Sequence, residues 1–301
     1  MNNNITVSVI VPTFRREESL KKALESLLNQ TIKPDEIIIV DDNGDSCWSG
    51  KVDRIVNLFN DESIILIKNE KNIGSSLSRN IGIEASSGEF ISFLDDDDVY
   101  LTNKIENQVN LMVENDADYS MGNLLLLNEN EQIVEFRDKS FLLDLNDNDL
   151  FKYHLKYHLT GTDTMMFRRS YLISIGGFDP IDIGDEFYLM AKAIKGGGKF
   201  VFNNNCNIKA YIHKGDNGLS SGIKKINGEK ALFEYKKNYF TFLDRKDIQY
   251  IKMRHHAVLA YAYWRINKIH SFLLEGLLSM LSDPIACIKL LADRFLHGVE
   301  V

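Results

Sequence analysis

Three short apolar runs set the frame of this chain: residues 7–11 (Val-Ser-Val-Ile-Val), 36–40 (Glu-Ile-Ile-Ile-Val) and 90–94 (Phe-Ile-Ser-Phe-Leu). Each is too short for a stable helix and rich in β-branched or aromatic residues. Each is bounded by turn formers: Pro12 after the first, Asp41-Asp42-Asn43-Gly44 after the second, and four consecutive aspartates, Asp95 to Asp98, after the third. Such runs read as strands buried on both faces, a situation that parallel sheets provide. Helical periodicity fills the gaps between them. Leu20, Ala23, Leu24, Leu27 and Leu28 form one apolar stripe, residues 52–59 a second crossover helix, and a third helix starts near Ser76 and is broken by Gly88. With a further strand at 63–67, the first hundred residues alternate β-α-β-α-β-α-β. That order implies a mostly parallel sheet with right-handed crossovers.

Two of these strands end in carboxylates, and open α/β sheets bind ligands at the carboxyl ends of their strands. Four adjacent carboxylates repel one another and favour a counter-ion. A hard divalent cation with oxygen ligands, Mg²⁺ or Mn²⁺, suits them. An acidic tetrad by itself is equally a solvated turn, and the buried strand leading into it is what points to a site.

Beyond the tetrad, helices are expected at 101–113 and 151–159, and strands at 119–127, 133–136, 164–167, 199–202 and 208–212. Residues 144–149 read as an acidic linker and 176–180 as a tight turn. Asp185-Glu186 opens a helix that runs to Ala193. His154 and His158 have an i, i+4 spacing that can bind zinc, but no Glu stands between them and no third ligand is in view, so no zinc site is expected. After His213 the chain becomes Gly/Ser-rich over 215–222, a candidate lid flanked by Lys214, Lys224 and Lys225, and then mostly helical from 228 to 296.

Charge follows the same division. Residues 1–213 carry a net charge of −13 and residues 214–301 a net +5. The acidic front argues against nucleic acid as the main partner, while the basic tail suits a phosphate-bearing ligand or an anionic membrane surface. Cys47, Cys206 and Cys287 have no metal-site spacing and read as reduced thiols. The polar stretch from Met1 to Thr6 has no signal-peptide pattern, and no run reaches the about 18 apolar residues of a membrane span. The expected location is the cytoplasm, with contact to the inner face of the membrane as an open alternative.

Six segments, in order, resemble the family 2 glycosyltransferases with a GT-A fold: Val-Ser-Val-Ile-Val-Pro-Thr-Phe, Ile-Ile-Val-Asp-Asp-Asn, Asn-Ile-Gly-Ser-Ser-Leu-Ser-Arg-Asn, Gly-Glu-Phe-Ile-Ser-Phe-Leu-Asp-Asp-Asp-Asp, Gly-Gly-Phe-Asp and Gly-Asp-Glu-Phe-Tyr-Leu. The resemblance spans residues 5 to about 220. It implies a Rossmann-like catalytic domain over 1–220, with a nucleotide-binding half at 1–100 and an acceptor half at 101–220, followed by a helical region at 221–301. It also implies inverting transfer of a sugar from a nucleoside diphosphate, UDP above the others, to a saccharide or lipid-linked acceptor in bacterial surface polysaccharide synthesis. Its cofactor is Mn²⁺ or Mg²⁺.

Carried over residue by residue, Asp97 contacts the metal, and Asp95 or Asp96 binds ribose or holds the metal through water, with a one-residue ambiguity introduced by Asp98. His213 completes the metal shell or touches the diphosphate. Asp42, with Asp41 as the fallback, takes the uracil N–H, Phe14 stacks on the base, and Pro12, Thr13 and Arg15 line the same pocket. Asn72, Gly74 and Arg79 close around the nucleotide, with Arg79 pairing with Asp95 or with phosphate and a purely structural salt bridge as its other reading. Glu186 is the base that accepts the acceptor's proton, with Asp185 as the alternative, and helix capping is the non-catalytic reading of this pair. A non-catalytic nucleotide-sugar scaffold on the same fold is the rival function. A nucleotidyltransferase fits less well, because Pro12-Thr13-Phe14-Arg15-Arg16 is not a Gly-rich phosphate loop. The apolar C-terminal helices have three open partners: the catalytic domain, a second subunit, or the membrane.

Overall fold

A computed structural model of the chain describes residues 5–145, 147–181, 183–212 and 222–297. The first half alternates as its pattern demands: β1 (Val7–Thr13), α1 (Glu18–Leu28), β2 (Glu36–Asp41), α2 (Ser46–Phe59), β3 (Ile64–Lys68), α3 (Ser75–Ala85) and β4 (Phe90–Phe93). These strands pair in parallel in the order β3-β2-β1-β4. Every residue of β1 is buried. Val7, Val9 and Val11 pack against the leucines of α1, and Ile10 packs against Ile83 of α3 on the other face. Pro12 does not stop the strand. β4 pairs with β1 only from Val7 to Ile10, so beyond Ile10 one side of β1 carries no ladder and a proline is tolerated.

The second half is mixed. It comprises β5 (Val99–Tyr100), α4 (Lys104–Glu114), β6 (Tyr119–Asn128), β7 (Ile133–Arg137), α5 (Asp147–Tyr157), β8 (Met166–Arg168), α6 (Arg169–Ser174), α7 (Asp185–Lys195) and β9 (Phe200–Ile212). β8 joins the parallel half by running antiparallel to β4, and the order continues β8-β6-β9-β5, with β7 as a hairpin partner of β6. The two strands expected between 199 and 212 are one. Register shifts around Asn123 absorb the polar run 203–207 that reads as a break in the sequence. The end of the expected acidic linker, 147–149, is likewise taken up by α5, which begins at Asp147.

The C-terminal helices are α8 (Gly222–Lys237), α9 (Arg245–Arg265), α10 (Ile269–Ser282) and α11 (Pro284–His297). Leu232 of α8 and Ile251 of α9 share a core cluster with Leu155 of α5 and with Phe187, Tyr188 and Ala191 of α7. These two helices therefore form a wall of the cleft. Among the described residues no single helix is long and apolar enough to cross a membrane. α10 and the first part of α11, Pro284–Ala292, meet at a bend of 119°.

Candidate functional site

The carboxyl ends of β1, β2 and β4 open onto one cleft of about 2500 Å³. α7, α8 and α9 close its other side. On the β side the cleft is lined by Pro12, Thr13, Phe14, Arg15, Asp42, Asn72, Gly74, Arg79 and Asp95 to Asp98. Asp185 and Glu186 line the opposite side. Asp41 sits just behind, fully buried, its Oδ1 accepting from the backbone and side-chain nitrogens of Asn43 and its Oδ2 without a partner. His213, Lys214 and residues 215–221 lie outside the described residues.

Asp42 organises the turn before α3. Its two oxygens accept from Asn69 Nδ2 (2.8 Å), Asn72 Nδ2 (2.9 Å), and the backbone N–H groups of Ile73 and Gly74 (2.9 Å each). Gly74 adopts φ +93°, a conformation side chains resist, and this brings its N–H onto the carboxylate. Phe14 is 42% exposed, so it faces the cleft and is not core. The Arg15 guanidinium lies 5.1 Å from its ring centroid.

The tetrad fans out in four directions because the chain turns sharply between β4 and β5. Asp95 Oδ1 meets Arg79 Nη2 at 2.5 Å. Asp96 Oδ2 accepts from Thr13 Oγ1 (2.7 Å) and the Phe14 N–H (3.1 Å). Asp97 pairs with Arg16 (2.8 Å), and Asp98 Oδ1 accepts the Tyr211 N–H (2.9 Å). Burial, reinforced by the charge on Asp97, pushes the Asp96 carboxyl up to about 7. Burial and the neighbouring Asp163 likewise raise Asp98 well above the usual carboxylate range.

Asp163 had no motif to mark it. It lies in the turn before β8, and the antiparallel pairing of β8 with β4 brings its Oδ1 to the Asp95 N–H at 2.8 Å. Oxygens of Asp95, Asp98 and Asp163 all lie within 4.8 Å of one another. Three crowded carboxylates, two of them buried and pushed toward protonation, suit a hard divalent cation. The signal that would find Asp163 from sequence is the strand pairing, not the local composition.

Arg79 joins the two sides of the cleft. It is almost fully buried, and its Nη1 reaches Asp185 Oδ2 at 2.7 Å while Nη2 holds Asp95. Burial disfavours its charge, but Asp95 and Asp185 more than offset this, and its pKa is raised. Asp185, in turn, is pushed above the usual range, first by burial; Arg79 opposes that rise and the Glu186 charge adds to it. Glu186 stands more open, with a side chain 20% exposed against 8% for Asp185. Its Oε1 is 2.9 Å from His158 Nε2. Burial, and then Lys236, Lys225 and Arg254, hold His158 neutral. His154 stacks on Phe187 at 4.1 Å and bonds the Phe187 carbonyl at 2.9 Å.

A parallel β-α half with acidic strand ends, joined to a mixed half that sets a second acidic pair across the cleft, is the architecture of the GT-A glycosyltransferases. Residues 8–176 match the family model "Glycosyl transferase family 2", and the chain belongs to that family. It is 32% identical over 224 residues to an uncharacterized glycosyltransferase of Methanocaldococcus jannaschii, covering 73% of this chain and 74% of that one. It is 33% identical over 130 residues to WfgD of Escherichia coli, named as a UDP-Glc:α-D-GlcNAc-diphosphoundecaprenol β-1,3-glucosyltransferase; that match covers 43% of this chain and half of the relative. In structure it resembles S. aureus TarS 1-349 crystallised with UDP-GlcNAc, with a TM-score of 0.60 over 92% of this chain and 91% of that one. At 18% identity this likeness shows the fold alone. The protein is a glycosyltransferase.

Proposed function

We propose that this glycosyltransferase moves a sugar from a UDP-sugar to an acceptor hydroxyl with inversion, and that Glu186 takes the hydroxyl proton. The observation that carries this reading is Arg79. By tying Asp95 after β4 to Asp185 at the start of α7, it sets the nucleotide side and the proton acceptor on one cleft. The uracil lies against Phe14, lined by Pro12, Thr13 and Arg15, and its N–H goes to Asp42, the member of the Asp41–Asp42 pair that lines the cleft, in place of one of that carboxylate's four protein donors. Asn72 and Gly74 close on the nucleotide, and Asp96 faces the ribose. UDP is preferred because TarS is described with UDP-GlcNAc and with UDP, and WfgD is named for UDP-Glc.

Asp95, Asp98 and Asp163 fit a Mn²⁺ or Mg²⁺ ion, and the family pattern adds Asp97 and His213. Bound there, the cation supplies Lewis-acid stabilisation of the charge on the departing diphosphate. The chain's own residues do the rest. Glu186, fixed by neutral His158, accepts the proton, and Asp185, held by Arg79, keeps α7 in register with the tetrad.

The acceptor we propose is a saccharide on a lipid carrier, met at the inner face of the membrane. Leu273, Leu274, Leu277, Leu281, Ile285 and Ile288 of α10 and α11 are exposed, with Lys268 and Lys289 exposed on the same stretch to meet anionic headgroups. Leu277→Glu with Ile285→Glu should abolish co-sedimentation with anionic vesicles. A concentration-dependent dimer that the same pair disrupts would assign this face to a second copy.

The test of the activity is a panel of UDP-, GDP- and dTDP-sugars with and without Mn²⁺, with the anomeric product read by NMR. Metal-dependent UDP binding with an inverted product is expected. Metal-dependent binding with no transfer or hydrolysis of any donor would leave the scaffold reading in its place.

A further inference from the structure

Three cations that line the Glu186 side of the cleft, Lys139, Lys236 and Arg254, form no ion pair among the described residues. Lys236 of α8 is 8% exposed and lines the cleft, its Nζ 5.1 Å from the Phe187 ring centroid. Lys139, which follows β7, is half-buried and lines the same cleft. Arg254 of α9 spends Nη1 on the backbone carbonyl of Tyr157 (2.9 Å). Among the described residues no carboxylate forms an ion pair with any of the three. The acids nearest on α8 and α9 are already engaged: Lys152 and Lys156 share Asp247 at 3.1 and 2.5 Å, and Glu229 is taken by His255 at 2.8 Å.

Arg254 repels both lysines. Burial, and then the Arg254 charge, brings Lys139 down to about 8; Lys236 is also brought to about 8, by burial first, with Glu229 opposing and Arg254 adding. Glu135 and Asp138 relieve Lys139 in part. Desolvated like charges with no counter-ion are unfavourable, and a dianion in the cleft removes the penalty through charge-assisted hydrogen bonds. These cations stand on the wall made by the end of β7 with α8 and α9, whereas the nucleotide residues stand on the turns after β1, β2 and β4.

We propose that Lys139, Lys236 and Arg254 form a subsite for a phosphate or diphosphate group of the acceptor, so that the acceptor is a phosphate-bearing saccharide and not a neutral one. This rests on the glycosyltransferase reading above and names the substrate class of the same cleft.

The experiment uses the full chain saturated with UDP and Mn²⁺, so that the donor site is filled, and titrates decyl diphosphate or decyl β-glucoside by calorimetry. Lys236→Met keeps the aliphatic stem against Phe187 and removes the charge, and Lys139→Met does the same at a more open position. Decyl diphosphate should bind more tightly than decyl glucoside and should lose at least about tenfold in affinity in each variant, with UDP affinity unchanged. Decyl diphosphate bound no better than decyl glucoside, or bound equally by wild type and both variants, overturns the subsite. A parallel loss of UDP affinity in the variants also overturns it, by assigning the cations to the donor. Failure of the wild type to bind UDP at all overturns the donor reading and this inference with it.

Discussion

The two sides of the cleft handle charge in opposite ways. On the β side every acid that lines it is met by groups of the protein: Asp42 by four donors, Asp95 by Arg79, Asp96 by Thr13 and the Phe14 N–H, Asp97 by Arg16, and Asp98 by the Tyr211 N–H. On the helical side Lys139, Lys236 and Arg254 have no acid within ion-pair reach among the described residues. The first is a preorganised cradle, whose geometry is held by the protein's own hydrogen bonds. The second is an unbalanced field, whose charge a ligand completes. Arg79 and Glu186 sit on the seam between them.

The largest effect is expected at that seam. Glu186→Gln should cut transfer by about 10²–10⁴-fold, the usual worth of a general base, while UDP binding persists; full transfer in a steady-state assay would move the base to Asp185. Arg79→Met should break the link between the two sides. It strands Asp185 as a buried charge and should cost about 3–5 kcal/mol in urea unfolding. A cost near zero would mean that the sides are held together by α7 packing alone.

The cradle also makes a pH prediction. Lys104 is buried behind the tetrad, and its Nζ donates to the hydroxyls of Ser92 and Tyr100. Burial pushes it down to about 7, opposed by the Asp163 charge. The unfolded chain therefore binds the extra proton between pH 7 and the ordinary lysine range. Stability should rise with pH across that window, by at most about 1.4 kcal/mol per pH unit. Lys104→Met should flatten the rise, since Ser92 and Tyr100, 2.9 Å apart, can bond each other; an unchanged slope in urea melts at pH 7 and pH 9 would assign it to other groups.

The smallest effect is expected at His158. It adopts φ +52°, which Asn tolerates well, so His158→Asn should lower kcat only several-fold and leave the UDP affinity alone. A loss as large as that of Glu186→Gln would give His158 a share in the proton transfer itself.

Much of the cradle was legible because its information is local. The apolar runs, the helical stripes and the strand-end acids depend on residues within one turn of each other in sequence. They named the β-α half and brought Thr13, Phe14, Asp42, Gly74 and Asp95 to one edge before any contact was known. The misleading signals are local too: Pro12 reads as a stop and 203–207 as a break, because a single strand's composition does not say which of its sides is paired.

What only the tertiary structure decided are the pairs made across the chain. Arg79 and Asp185 are 106 residues apart, Asp95 and Asp163 are 68 apart, and His158, just beyond the end of α5, meets Glu186 of α7. Each depends on how β8 enters the sheet beside β4 and how α7 lies over the strand ends, and sheet order leaves no trace in periodicity. The same holds for the cations. Lys139, Lys236 and Arg254 look like ordinary surface charges in the sequence; only the tertiary structure brings them to one cleft with Glu186.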